Sequence, residues 1–323
     1  MPIIAGQDAI PKEFNSGSNR LSAGGEERLE SIFHRRERRG LISNRDEALG
    51  MIFNACLGCC ERRFGKKKDV SFSHEYRRSG LEAKSDGSSV FMNETLLHSL
   101  LQHIYVIIYH SLDFENPDVS FYCYKQLLVI MNEQCNNTYL MPGEDAFIGV
   151  MEKYPSLKTL NVAADVYWGM VAFMMLHELS HIFLGHHAEG GDLTIAESER
   201  EADREAFLIF LGMICDRGSH EKLEFLEEYI YLAPMMALDF FTLVHFADGT
   251  INGNKHESSY PPNEERKAAL FDLFANWDGE FDSRDGNGIY NWYIEVVEKF
   301  KNDLRSANER GMLESIKRPR SGA

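Results

Sequence analysis

His177-Glu178-Leu179-Ser180-His181 sets two imidazoles four residues apart, with a carboxylate directly after the first. On a helix, residues i and i+4 lie one turn apart on one face, so both rings can share a single Zn²⁺. Glu178 is turned off that ligand line, towards the side where a water on the ion would sit. Zn²⁺ lowers the pKa of such a water towards about 7, and a carboxylate can then take its proton during attack on a carbonyl. The H-E-x-x-H spacing carries that mechanism, but a chain with 12 His and 50 Asp+Glu among 323 residues can also produce it by chance. The plain alternative is an amphipathic helix with two partly exposed histidines, and the flanking sequence must decide.

The elements that would position these side chains are legible. Ala163 to Leu176 is apolar nearly all round and leads into His177 without a proline, the pattern of a buried helix. Gly185 and Gly190-Gly191 are stop signals. Polar side chains at the end of a buried helix need a partner, because an unpaired buried charge is costly, and a metal ion supplies one. His186 and His187 fall just past the helix face. They are read as surface or supporting residues, since a further ligand would close the site. Thr194 to Leu211 is a second amphipathic helix with carboxylates at Glu197, Glu199, Glu201 and Asp203, of which Glu199 and Asp203 are one turn apart. Taken alone, that face is as well explained by solvation.

HELSHIFLGHH followed by ESEREADREAF resembles the zinc peptidases with a glutamate third ligand (the gluzincin type), and most closely the Lit family of bacterial phage-exclusion peptidases. Ser259-Tyr260-Pro261-Pro262-Asn263-Glu264-Glu265-Arg266 resembles that family's downstream His-Pro-x-x-x-x-Arg element, with Tyr260 where His is usual. The resemblance runs from about Val166 to Leu273. It implies His177, His181 and Glu199 as ligands of one Zn²⁺ per chain, and Asp203 as the carboxylate orienting His177. Glu201 and Glu197 are weaker ligand candidates. It further implies Glu178 as general base and proton shuttle, with Tyr260, His256 or Arg266 assisting the oxyanion. The implied activity is a narrow endopeptidase acting on a protein substrate, translation elongation factor Tu, set off by a phage-derived activator.

The rest of the chain adds context. Net charge is −16, yet the first 90 residues are slightly basic, with clusters at Arg35 to Arg39 and at Arg62-Arg63 and Lys66 to Lys68. Solvated helix faces explain these better than a nucleic-acid ligand, which the acidity of the remainder opposes. Six cysteines include Cys56-Leu-Gly-Cys59-Cys60. Cys123 and Cys135 are too widely spaced to complete a second metal site, so reduced thiols buried in a helix are expected. No signal peptide or membrane-length apolar run is visible, and a cytoplasmic protein with no membrane partner is expected. Helices are expected at about 26–38, 44–63 and 93–112, the last capped by Asn93. His98, His103 and His110 share no tight pair and read as ordinary. A strand is expected over 121–131, as an edge for pairing with substrate. A helix over 221–247 bends at Pro234, Asn263 caps a short helix through Trp277, and a final helix covers 281–305.

These elements give an α+β, predominantly α-helical fold, with a zincin-like core whose active-site helix carries the histidines beside a small sheet. The expected division is a flexible N-terminus (1–25), a helical N-terminal region (26–115), a metallopeptidase domain (116–310) and a basic mobile tail (311–323). Two other functions compete. One is an antirepressor-type zinc peptidase cleaving a DNA-binding repressor, which typically lacks a Pro-Pro…Arg element. The other is a non-catalytic protein-binding module with a structural zinc, for which Glu178 has no use.

Overall fold

In the computed structural model of the chain, residues 45–75, 81–112, 157–187, 193–215, 230–253, 260–277 and 284–311 are described. The expected helix at 26–38, the strand at 121–131, His256, Cys123, Cys135 and both expected mobile termini lie outside them (Gly311 apart). The fold is α+β and predominantly α-helical. In chain order it comprises α1 (Arg45–Phe64), β1 (Ser71–Glu75), β2 (Ala83–Ser85), β3 (Ser89–Asn93), α2 (Glu94–Leu112), α3 (Leu157–Leu184), α4 (Ile195–Cys215), α5 (Ala233–Asn252), α6 (Asn263–Ala275) and α7 (Arg284–Glu309).

Helix α3 is the axis. Its 28 residues span roughly 42 Å at ~1.5 Å per residue. Val166, Tyr167, Val171, Met175 and Leu176 are all buried, on every side of the helix. The reason is its neighbours: α1, α2, α4 and α5 pack round it, and β2 and β3 lie across it. Gly169 marks the closest approach. A Cβ there would sit 2.8 Å from the Ala233 Cβ and 2.9 Å from the Ile230 Cδ1. Ala233 cannot yield, so Gly169→Ala is expected to lower the melting temperature. Overpacking costs about 1–3 kcal/mol, against roughly 1 kcal/mol gained in helix propensity. An unchanged or raised melting temperature would show that α3 and α5 are not this close.

Two lysines of the basic cluster have a specific use. Lys66 and Lys68 donate to the Phe183 and Ile182 carbonyls at the C-terminus of α3. There they satisfy orphan carbonyls and complement the helix dipole. Cys56, Cys59 and Cys60 are buried in α1 and form no disulfide among the described residues, and burial pushes the Cys56 and Cys60 thiols up.

Several local expectations need correction. Three strands occupy 71–93, where none was expected, in the order β1-β3-β2, with β1 parallel and β2 antiparallel to β3. Pro234 does not bend a helix; it stands in the first turn of α5, where its missing N–H has no partner to lose. Pro262, not Asn263, occupies the cap of α6, and no side chain caps it. Asn93 does cap α2: its side-chain oxygen accepts the Thr95 N–H at 2.9 Å. Buried His103 donates or accepts at the Tyr293 hydroxyl, 3.0 Å away, an interior contact between α2 and α7. Among the described residues no helix is long and apolar enough to cross a membrane.

Candidate metal centre and cleft

The C-terminal two turns of α3 and the first two of α4 face each other and bring the charged residues together. His177 Nε2 and His181 Nε2 are 3.1 Å apart. Glu199 on α4 closes the group, with one oxygen 3.3 Å from His177 Nε2 and the other 3.3 Å from His181 Nε2. Their donor atoms all lie within 4.8 Å of one another, and among the described residues this is the one group of three or more that can hold a metal ion. Glu199 is buried, as is His181.

Behind His177, Asp203 Oδ1 approaches Nδ1 to 2.9 Å, close in distance though oblique to a ring N–H. Arg266 of α6 grips the same carboxylate with both arms of its fork, Nε to Oδ2 at 2.6 Å and an η nitrogen to Oδ1 at 2.7 Å. That η nitrogen is also 3.4 Å from Glu199. The guanidinium is therefore engaged by carboxylates, and its geometry is that of a clamp on Asp203. Burial alone would lower the pKa of His177, but its bonds to Asp203 and Glu199 overcome this and push it up to about 10. Burial opposes ionisation of Glu199 too, yet the two histidines and Arg266 hold it well below the ordinary carboxylate range. The pocket is electrostatically built for positive charge at the histidine Nε2 atoms.

Glu178 projects from α3 to the other side. Ser85, the last residue of β2, donates its hydroxyl to Glu178 Oε2 at 2.9 Å and lies 3.0 Å from His187 Nε2. Since the single hydroxyl proton goes to Glu178, the His187 ring N–H donates to Ser85. Among the described residues β2 is an edge strand of the sheet and lies beside the site. A cleft of about 790 Å³ opens here. β2 forms one wall and α5 the facing wall, through Leu238, Phe241 and His245, with Tyr260 and Arg266 on its rim. Tyr260 is 53% exposed, and burial with the Glu199 and Glu178 carboxylates pushes its phenol up, so it stays a hydroxyl donor.

The structure thus gathers His177, Glu178, His181, Glu199, Asp203, Tyr260 and Arg266 around one cleft. Glu197 is not among them. It makes a capping box with Thr194, whose backbone N–H it accepts at 2.8 Å while its own N–H reaches the Thr194 hydroxyl at 3.2 Å. The T-x-x-E spacing carried that signal. Sequence reasoning missed Ser85 and His245, for which no spacing gave a cue; Glu201, a weaker ligand candidate there, stands outside the donor group, and its carboxylate binds His186.

Residues 125–282 match the family model of peptidase U49, just under half of the chain. The match includes every candidate ligand and supports that family and a protease function. No curated protein and no solved structure matches the chain.

Proposed function

We propose that the chain is a zinc-dependent endopeptidase of the gluzincin type. The observation that carries this is the convergence of two histidine nitrogens and a buried carboxylate with a further carboxylate, Glu178, held beside them and not among the donors. Four ligands at about 2.0–2.1 Å from a tetrahedral Zn²⁺ lie roughly 3.3–3.4 Å from one another. The contacts of 3.1, 3.3 and 3.3 Å suit that ion. Three protein donors leave a fourth position open, which supports a catalytic role over a structural one.

When bound, the ion supplies Lewis-acid polarisation of the carbonyl and acidifies water. The chain's own residues do the rest. The edge of β2, outermost among the described strands, offers backbone groups to an extended peptide, which lies between it and α5. Glu178 accepts the proton of the attacking water and returns it to the leaving amine. The Tyr260 hydroxyl donates to the developing oxyanion. Arg266 acts one step back, by fixing Asp203 and through it His177. Resemblance to the Lit family supports elongation factor Tu as the protein substrate, a phage-derived activator and a role in anti-phage defence.

The test is cleavage of purified elongation factor Tu by the whole protein, with and without infected-cell extract, read by intact mass. Cleavage that a chelator stops and Zn²⁺ restores is the expected result. Cleavage indifferent to the chelator would contradict the zinc reading, and cleavage of a repressor in its place would favour the antirepressor function.

A further inference from the structure

We propose that His186 and Glu201 are positioning residues that fix the ring of His181 for metal binding, an inference that rests on the metal-site reading above. It begins at the end of α3. Gly185 takes φ +83°, a conformation most side chains avoid, and the N–H groups of Gly185 and His186 both donate to the His181 carbonyl at 3.0 Å. This turn folds the chain back over the last helical residues. It brings His186 Nδ1 to 2.8 Å from His181 Nδ1, the rings 5.0 Å apart and steeply inclined. The far nitrogen of His186, Nε2, lies 3.1 Å from Glu201 Oε2. The His186 side chain is 7% exposed, so these contacts are its main partners.

The proton positions follow from what each group can do. An ionised carboxylate only accepts, so the His186 Nε2 carries the proton that points at Glu201. The neutral His186 ring then has a lone pair at Nδ1, and His181 Nδ1–H donates to it. With the proton at Nδ1, His181 Nε2 has its lone pair available to an ion held with Glu199 and His177, the tautomer a metal ligand needs. On the other side, Asp203 Oδ1 lies 2.9 Å from His177 Nδ1 without an intervening ring. Helix α4 therefore supplies, in Glu199, Glu201 and Asp203, one ligand and the supports of both histidines.

The experiment is competition of the purified full-length protein with a chromogenic chelator for Zn²⁺, which reads metal affinity without any substrate. His186→Ala is expected to weaken Zn²⁺ binding about 10–100-fold. Glu201→Ala weakens it less, and the double variant is no weaker than His186→Ala, because Glu201 acts through His186. His186→Asn, whose amide oxygen can accept where Nδ1 does, recovers most of the loss. Glu201 is 45% exposed, so its removal carries the test even if His186→Ala fails to fold. Affinity of Glu201→Ala and His186→Ala within twofold of wild type would overturn the inference alone, as would additive losses in the double variant. A wild-type protein that binds no Zn²⁺ would overturn it together with the metal-site reading.

Discussion

Glu178→Gln is expected to lower peptide hydrolysis by at least about 10³-fold while leaving metal content and melting temperature unchanged. The amide has the shape of the carboxylate, and its oxygen can still accept the Ser85 hydroxyl that now bonds Glu178 at 2.9 Å. It cannot take a proton. A positioned general base contributes about 10²–10⁴-fold, and the same group must also protonate the leaving amine. Because Glu178 stands outside the His177–His181–Glu199 donor set, metal binding has no reason to change. Single-turnover cleavage beside elemental analysis of the same preparation makes the comparison. Hydrolysis at the wild-type rate would contradict the assignment of the base and favour a structural ion.

Arg266→Ala is expected to give the largest loss of stability among the site variants. The Arg266 fork holds both oxygens of a carboxylate that is almost completely buried. Its removal strands Asp203 with only His177 as counterpart. Breaking a buried pair by deleting one partner costs about 3–5 kcal/mol, because the surviving charge is left without compensation. Glu199 loses its 3.4 Å contact with the guanidinium as well. Arg266→Lys should recover a minor part, since an ammonium cannot span both oxygens. Denaturant unfolding measures this. A loss under 1 kcal/mol would mean that Arg266 is not the clamp on Asp203, and would return it to the role of a free oxyanion donor.

The difference between what the sequence shows and what only the folded chain shows has a physical basis. The helix carrying His177 and His181 is legible because its apolar run is long and its ligand spacing matches the helical repeat. Glu199 and Asp203 are legible for the same reason: their relation is one turn of one helix. The strands at 71–93 were not expected because they are short, and SFSHE alternates without the aliphatic residues that mark a strand. β2 has three residues and becomes a strand only by pairing with β3. Pro234 reads equally as a kink or a start, since apolar residues lie on both sides. The assignment of Arg266 to Asp203 joins residues 63 positions apart, and Ser85 to Glu178 joins residues 93 apart. No local pattern encodes such pairs. Glu197 shows the opposite case, where a local capping box was present in the sequence and the residue was weighed as a ligand candidate.

The most direct test of the account is the metal content of the purified full-length protein by elemental mass spectrometry, beside Glu199→Ala and Glu197→Ala. The account predicts one zinc per chain in the wild type and in Glu197→Ala, whose carboxylate serves only the start of α4, and none in Glu199→Ala. Wild-type protein without metal, or Glu199→Ala that keeps its zinc, would contradict it.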